Sequence, residues 1–208
     1  MSLSSVRIVP WSSSRFTLLV AGLGATLAAC DDPSLPSETE VPAPGATVEG
    51  CSAAGALVPP NMPALAPPAG SELYLRTRAD GTQIYSCTAV NGGWSWTLKA
   101  PQARLVDDGC RDVGTHFAGP SWKLTGDGST VVGRKAAEMA APASGAIPWL
   151  LIEVVDRSAS GGLAKVSHIQ RVDTEGGLAP TAGCDAAAVG SEVAIPYVAT
   201  YLYYRPAQ

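Results

Sequence analysis

The chain has 208 residues, of which only 15% are charged, with 22 glycines, 17 prolines and a formal charge of −4. Its Lys and Arg residues are scattered singly apart from Arg134-Lys135, which leaves no phosphate-binding surface and excludes nucleic acid as a partner. With Ser, Thr, Gly and Asn supplying the polar surface, the balance suits an exported, β-rich protein.

The first fifteen residues carry Arg7 and Arg15 and no acid, and residues 16–29 form an apolar run too short to span a bilayer as a stable helix. That is the pattern of a secretory signal. It ends in Leu27-Ala28-Ala29-Cys30, which resembles the bacterial lipobox, where small residues admit the peptidase and the cysteine thiol receives a diacylglyceryl group. The expectation is a signal peptide over residues 1–29, lipid attachment at Cys30 and a chain anchored to a membrane in the cell envelope, on its periplasmic or outer face. Two or three acyl chains hold a protein stably where one does so only marginally. Asp31 and Asp32 resemble the signal that retains enteric lipoproteins in the inner membrane. Gly22-Leu-Gly24 has no third glycine and no βαβ context, so it predicts no dinucleotide, and no cofactor is expected. Without Arg7 and Arg15 the mature chain carries twelve basic and eighteen acidic side chains, a formal charge of −6.

Residues 30–68 are rich in Pro, Ala, Ser and Gly, hold nine of the 17 prolines and contain hardly a large apolar residue. Such a segment reads as an extended tether with a reach on the order of 100 Å in polyproline form. Residues 69–206 then form the domain, long enough to bury a core of their own.

Four cysteines remain beside Cys30: Cys51, Cys87, Cys110 and Cys184. In an oxidising compartment an even number argues for two disulfides, with three connectivities open. The expected pairs are Cys87 with Cys184, both inside the domain, and Cys51 with Cys110. There is no CxxC and no paired histidine spacing, so no metal site is expected.

Along the domain, strand-like runs alternate with turn dipeptides. Residues 73–78 lead through Asp80-Gly81 into 83–90, and Asn91-Gly92-Gly93 leads into 94–99, where Trp94, Trp96 and Leu98 share a face; both read as hairpins. Another hairpin is expected around Asp127-Gly128, between 122–125 and 130–132. Just upstream, His116 and Trp122 flank Gly119-Pro120, so that two large polar-tipped rings meet around one bend, as core residues or as the lining of a pocket. Residues 135–141 are the one good helix former, at most two turns long. Residues 147–155 read as a central strand buried on both faces, with Glu153 partnered or at a rim. After Gly161-Gly162, residues 163–172 read as a strand in which Val166, His168, Gln170 and Val172 share one face, either a lumen or a satisfied polar network. In the last strand, 193–205, Tyr197, Tyr201 and Tyr203 lie on one face and Tyr204 on the other. The fold expected is all-β, a single antiparallel β-sandwich or barrel-like domain built from hairpins.

The ordered set Gln83-Ile-Tyr-Ser-Cys87, Val113-Gly-Thr-His116, Gly119-Pro-Ser-Trp122, Asp127-Gly-Ser-Thr-Val131, Ile147-Pro-Trp-Leu-Leu151, His168-Ile-Gln-Arg171, Gly176-Gly-Leu-Ala-Pro180 and Gly183-Cys-Asp185 resembles the bacterial and fungal family known as domain of unknown function 3455. The resemblance implies an extracytoplasmic domain without an established activity, and it brings no catalytic residues with it. Fungal members are sometimes labelled malate dehydrogenase, a label that a chain without a Gly-rich βα turn does not support.

No G-x-S-x-G nucleophile elbow is present. The two histidines with Asp107, Asp108, Asp127 and Asp185 carry no catalytic spacing. The function expected is a membrane-tethered binding module for a small ligand or envelope component, with a structural or protein-interaction lipoprotein as the alternative and an unrecognised hydrolase behind both. The candidate ligand-binding residues are His116, Trp122, Asp127, His168 and Gln170, the last two deeper in. The loops 114–120 and 175–185 are expected near each other at one end of the domain.

Overall fold

The computed structural model describes residues 62–208; the expected signal peptide, Cys30, Asp31, Asp32, Cys51 and most of the tether lie outside them. Eight strands follow one another in chain order: β1 (Ser71–Val90), β2 (Gly93–Val106), β3 (Asp112–Phe117), β4 (Ser121–Leu124), β5 (Thr130–Met139), β6 (Trp149–Arg157), β7 (His168–Gly176) and β8 (Glu192–Pro206). Each pairs antiparallel with the next, and β8 returns to pair with β1, so the sheet closes into an up-and-down barrel. Closure removes the free edges on which an open sheet would aggregate.

Strand alternation sorts the side chains. Ala79, Leu105, Trp122, Val131, Ile152, Ile169 and Tyr201 are buried in the main core, each worth about 1.5–3 kcal/mol where a large side chain leaves water completely. Tyr197, Tyr201 and Tyr203 belong to the same core, whereas Leu202 and Tyr204 belong to a second cluster with Val172, packed by Met62, Leu73 and Trp149. That second cluster lies on the outer surface. A 3₁₀ turn at Pro63–Leu65 covers part of it; Leu65 is fully buried, and its carbonyl accepts a hydrogen bond from Gln170 Nε2 at 2.6 Å. Packing therefore begins at residues assigned from sequence to the tether.

Several expectations for individual elements do not hold. Asp80-Gly81 is no turn: β1 runs through it without a break. Gly81 is required there because a Cβ would collide with the Gln102 carbonyl and Ala103 across the sheet, a close backbone approach of the kind that strand glycines mark. Residues 135–139 are strand, not helix, since the ladder to β6 supplies hydrogen bonds to backbone that local propensity would have coiled. β6 is buried on one face only, with Ile152 and Val154 inside and Val155 exposed. β7 begins at His168, and the residues before it, 158–167, form a loop instead of its first half.

That loop closes one end of the barrel. It inserts Leu163 and Val166, both fully buried, and it is tied down by the turn between β4 and β5. Asp127 Oδ1 accepts from the Ser129 amide at 2.9 Å and the Ser129 hydroxyl at 2.6 Å, and Oδ2 accepts from the Gly162 amide at 2.5 Å. The Ser129 hydroxyl in turn accepts from the Leu163 amide at 3.1 Å. The turn expected at Asp127-Gly128 is present, with Gly128 at φ +70°.

The opposite end carries the β1–β2 hairpin, the β3–β4 turn, the loop before β6 and the long β7–β8 loop, residues 177–191. The Asn91-Gly92 turn is as expected, with Gly92 at φ +85°. A disulfide between Cys87 and Cys184, with Cα atoms 5.4 Å apart, fastens the long loop to β1. The Gly190 amide and Ser191 carbonyl extend the attachment along the Cys87 backbone, and Trp96 Nε1 donates to the Ala182 carbonyl at 2.9 Å. Cys110 is disulfide-bonded as well; Cys51, its expected partner, lies outside the described residues.

Candidate ligand-binding site

An eight-stranded barrel has an interior just wide enough to be filled by side chains or to hold one small ligand. Here a cavity of about 530 Å³ opens at the end opposite the Leu163 plug, and a second recess of similar volume lies at the plugged end beside Leu75, Val113, Leu124 and Asp127. Its wall is largely apolar, with Ala100, Pro101, Pro148, Leu150 and Ile152, and its deeper part is formed by His116, Trp122, Gln83 and Tyr201.

His116 and Trp122 are cross-strand partners in β3 and β4. The three-residue turn at Gly119-Pro120 sets that register, and the rings stack at 4.4 Å between centroids with 14° between their planes. Tyr201 meets both edge-on, at 5.1 and 5.3 Å. His116 Nδ1 lies 2.8 Å from the Ser121 carbonyl; since a carbonyl only accepts, Nδ1 carries the proton and Nε2 is left as an acceptor. Burial pushes the His116 pKa down to about 3, against the Ser121 hydrogen bond and with help from the charge of Arg171, so the imidazole is neutral under ordinary conditions.

The polar atoms around this cluster are incompletely matched. Gln83 Nε2 and Trp122 Nε1 are buried without a hydrogen-bond partner in the protein, while the hydroxyls of Tyr197 and Tyr201 have only each other and Arg171 nearby, short of good hydrogen-bond geometry. Each such group costs roughly 1–3 kcal/mol where it is left unmet, and buried polar groups in native proteins are rarely left so. The Tyr197 and Tyr201 hydroxyls are held protonated by burial. The contrast with Tyr85 and Tyr203 is informative, because those hydroxyls meet the Gly177 carbonyl at 2.6 Å and Thr77 Oγ1 at 3.1 Å.

Of the five residues singled out in the sequence, His116 and Trp122 are brought together in this cavity. Asp127 lies in the turn at the other end of the barrel, where its carboxyl is held below the usual range by the Ser129 hydroxyl and the Gly162 and Ser129 amides. His168 and Gln170 are not deeper in the lumen. They pair across the sheet with Tyr204 and Leu202, on the outer face, and Tyr204 donates to Gln170 Oε1 at 2.7 Å. A period of two marks which residues share a face but not whether that face is lumen or covered exterior, and the Leu65 segment makes the exterior look like core. Glu153 is on that exterior too, held below its usual pKa by a 2.5 Å ion pair with Arg134. The loops 114–120 and 175–185 reach the same end of the barrel, although 114–117 belong to β3.

Sequence reasoning missed Gln83, Tyr201 and Arg171 as site residues. Their signal was parity: Arg171 alternates with Ile169, a core residue, and Tyr201 was read only as cross-strand packing. The histidines and aspartates do not converge on a metal site; among the described residues no three potential ligands cluster. His116 and His168 stand on opposite sides of the wall.

No curated protein and no solved structure matches the chain. The family model described as Protein of unknown function (DUF3455) matches residues 68–112 and 109–205, a span that takes in β1 to β7 whole and β8 up to Arg205, the Cys87–Cys184 bond and every residue of the cavity wall named above. The chain belongs to that family.

Proposed function

We propose that this protein is a binding module that takes a small, largely apolar ligand into the open end of the barrel. The observation that carries the reading is the cavity itself, with its stacked His116–Trp122 floor and buried polar atoms that the protein does not pair. Pockets of this volume, with apolar walls and a few polar groups, are the usual form of small-molecule sites. His116 donates to a carbonyl and lies flat on an indole, an arrangement suited to holding a ligand and not to the proton relay that a hydrolase would need. The lipobox at Cys30 supports a lipid-anchored protein of the cell envelope, lifted from the membrane by its Pro-rich tether. Labelling with a fatty acid tests the anchor: the label is expected on the native chain and lost in Cys30→Ser, and label that persists unchanged in the variant overturns it.

A thermal-shift screen of the purified protein against apolar acids, amides, alcohols and envelope glycans tests the binding reading. A ligand at 100 times its Kd raises stability by about 2.7 kcal/mol. Leu150→Trp, which fills the cavity from its wall, should abolish the response. If no compound shifts the native protein, or if Leu150→Trp leaves every shift intact, the cavity is not the site.

A scaffold role has one observation in its favour. Trp94 and Leu98, 47% and 51% exposed, stand on the projecting β1–β2 hairpin, and exposed apolar side chains of this size suit contact with another envelope protein.

A further inference from the structure

Arg171 of β7 pairs across the sheet with Leu150 of β6 and Tyr201 of β8, and all three line the cavity. Directly paired residues share a face, so the guanidinium projects inward. Its Nε and Nη2 donate to the Pro148 carbonyl at 3.1 and 2.8 Å, which fixes the plane of the group and uses two of its five N–H donors. For the end-on edge formed by Nη1 and Nη2 the protein offers a neutral neighbour, the Tyr201 hydroxyl, and, among the described residues, no carboxylate.

Arg171 also differs from the other cations of the wall in its pairing. Lys135 is held by Glu138 at 2.7 Å and Lys99 by Glu192 at 2.5 Å, whereas among the described residues no carboxylate pairs with Arg171. A guanidinium does not lose its proton, and removing it from water without a counter-charge is costly. Its field is felt across the lumen. Burial raises the phenols of Tyr85, Tyr197 and Tyr201, and the Arg171 charge opposes that rise in each. Beside it stand Gln83 Nε2 and Trp122 Nε1, both donors without an acceptor in the protein. The wall thus offers an unpaired cation and two unmet donors inside a chain whose overall charge is negative.

We infer that the ligand is an apolar molecule bearing a carboxylate, received by the end-on edge of Arg171 with its apolar body against Leu150, Ile152 and the His116–Trp122 stack. This rests on the binding reading above and adds the chemical class. A planar guanidinium meets a carboxylate through two parallel hydrogen bonds, which gives orientation as well as attraction. Gln83 and Trp122 supply N–H groups for the remaining lone pairs.

Titration calorimetry on the full chain with matched pairs tests it: decanoate against decanamide, and 2-naphthoate against 2-naphthamide. Each carboxylate is expected to bind at least tenfold tighter than its amide, and Arg171→Met should remove that preference while leaving amide binding within about threefold. Arg171→Lys should keep part of it, as a point charge without the fork. Should Arg171→Met fail to fold, the native protein still decides through the carboxylate-to-amide ratio, together with Gln83→Leu, which should weaken the carboxylate more than the amide. Equal affinities within each pair, or a preference that survives Arg171→Met, overturn the inference while the binding reading stands. If the earlier screen finds ligands and none is an acid, the inference likewise fails alone; if nothing binds at all, the binding reading fails first.

Discussion

The two ends of the barrel handle buried polarity in opposite ways. At the closed end, the polar atoms brought in by the Asp127 turn and the 158–167 loop are matched: the Asp127 carboxylate takes three donors, and the Ser129 hydroxyl both gives and accepts. Two apolar side chains from the loop, Leu163 and Val166, then fill the space beneath. At the open end, Gln83 Nε2 and Trp122 Nε1 line the cavity without a partner in the protein, and the Arg171 guanidinium there has the Pro148 carbonyl but no carboxylate among the described residues. A chain that satisfies its polar groups so completely at one end has the means to do so at the other. On the proposed binding reading, the difference separates the part of the interior that is matched for stability from the part that would meet a ligand, since unmatched polarity at functional sites is stability given up for binding.

The comparison can be broken most severely by freeing the long loop at the open end. The Cys87–Cys184 bond spans 97 residues, and removing a cross-link over a loop of that size costs about 3–5 kcal/mol. Chemical denaturation of a Cys87→Ala, Cys184→Ala double variant should therefore show a clear fall in midpoint. Stability unchanged from the native protein would mean that the hydrogen bonds from Ser191, Gly190 and Trp96 hold the loop by themselves.

His116 gives the open end a pH dependence that sets in at higher pH than the one the lowered Asp127 carboxyl gives the closed end. Its imidazole is neutral in the fold, with a pKa near 3, and protonates near 6.5 when the chain unfolds. The unfolded state thus binds the extra proton between these values, so stability is full above pH 6.5 and falls as pH drops towards 3. The slope is at most about 1.4 kcal/mol per pH unit. Measured between pH 7 and 5.5, where the carboxylates are still mostly ionised, the native protein should lose up to about 1.3 kcal/mol. In His116→Phe most of this slope should vanish, leaving the smaller part that comes from His168, whose pKa burial also lowers. An equal slope in both proteins would place the titrating group elsewhere.

A pair of small deletions sharpens the contrast. Ser129→Ala at the closed end leaves the buried Leu163 amide without its acceptor and should cost about 1–3 kcal/mol. Tyr201→Phe at the open end removes a hydroxyl that makes no well-formed hydrogen bond in the protein, so its effect on the free protein should be under about 0.5 kcal/mol in either direction. The same Tyr201→Phe protein is expected to bind ligand more weakly. If instead Tyr201→Phe destabilises as much as Ser129→Ala, the two ends are equally satisfied and the distinction between them fails.

Much of this was legible in the chain before folding, and the limits follow from what local pattern encodes. Strand alternation and turn dipeptides determined the all-β class, the Asn91-Gly92 and Asp127-Gly128 turns, the tyrosine stripe of β8 and the meeting of His116 with Trp122 around Gly119-Pro120, because each is settled within a few residues by backbone geometry. The Cys87–Cys184 pair was among the three connectivities that an oxidising compartment would allow, and with Cys110 also inside the domain only the fold selected it. Pattern could not distinguish the glycine of a turn from Gly81, which is needed only because β2 passes close to it. Nor could it show that residues 135–139 would find a ladder on β6, where a helix was the better local choice. Closure of the barrel and the Leu65 cover were decided by contacts distant in sequence. They alone fixed which face of β7 became the lumen, so that Gln170 was turned outward to Leu65 and Tyr204 while Arg171, one residue on, was turned into the cavity.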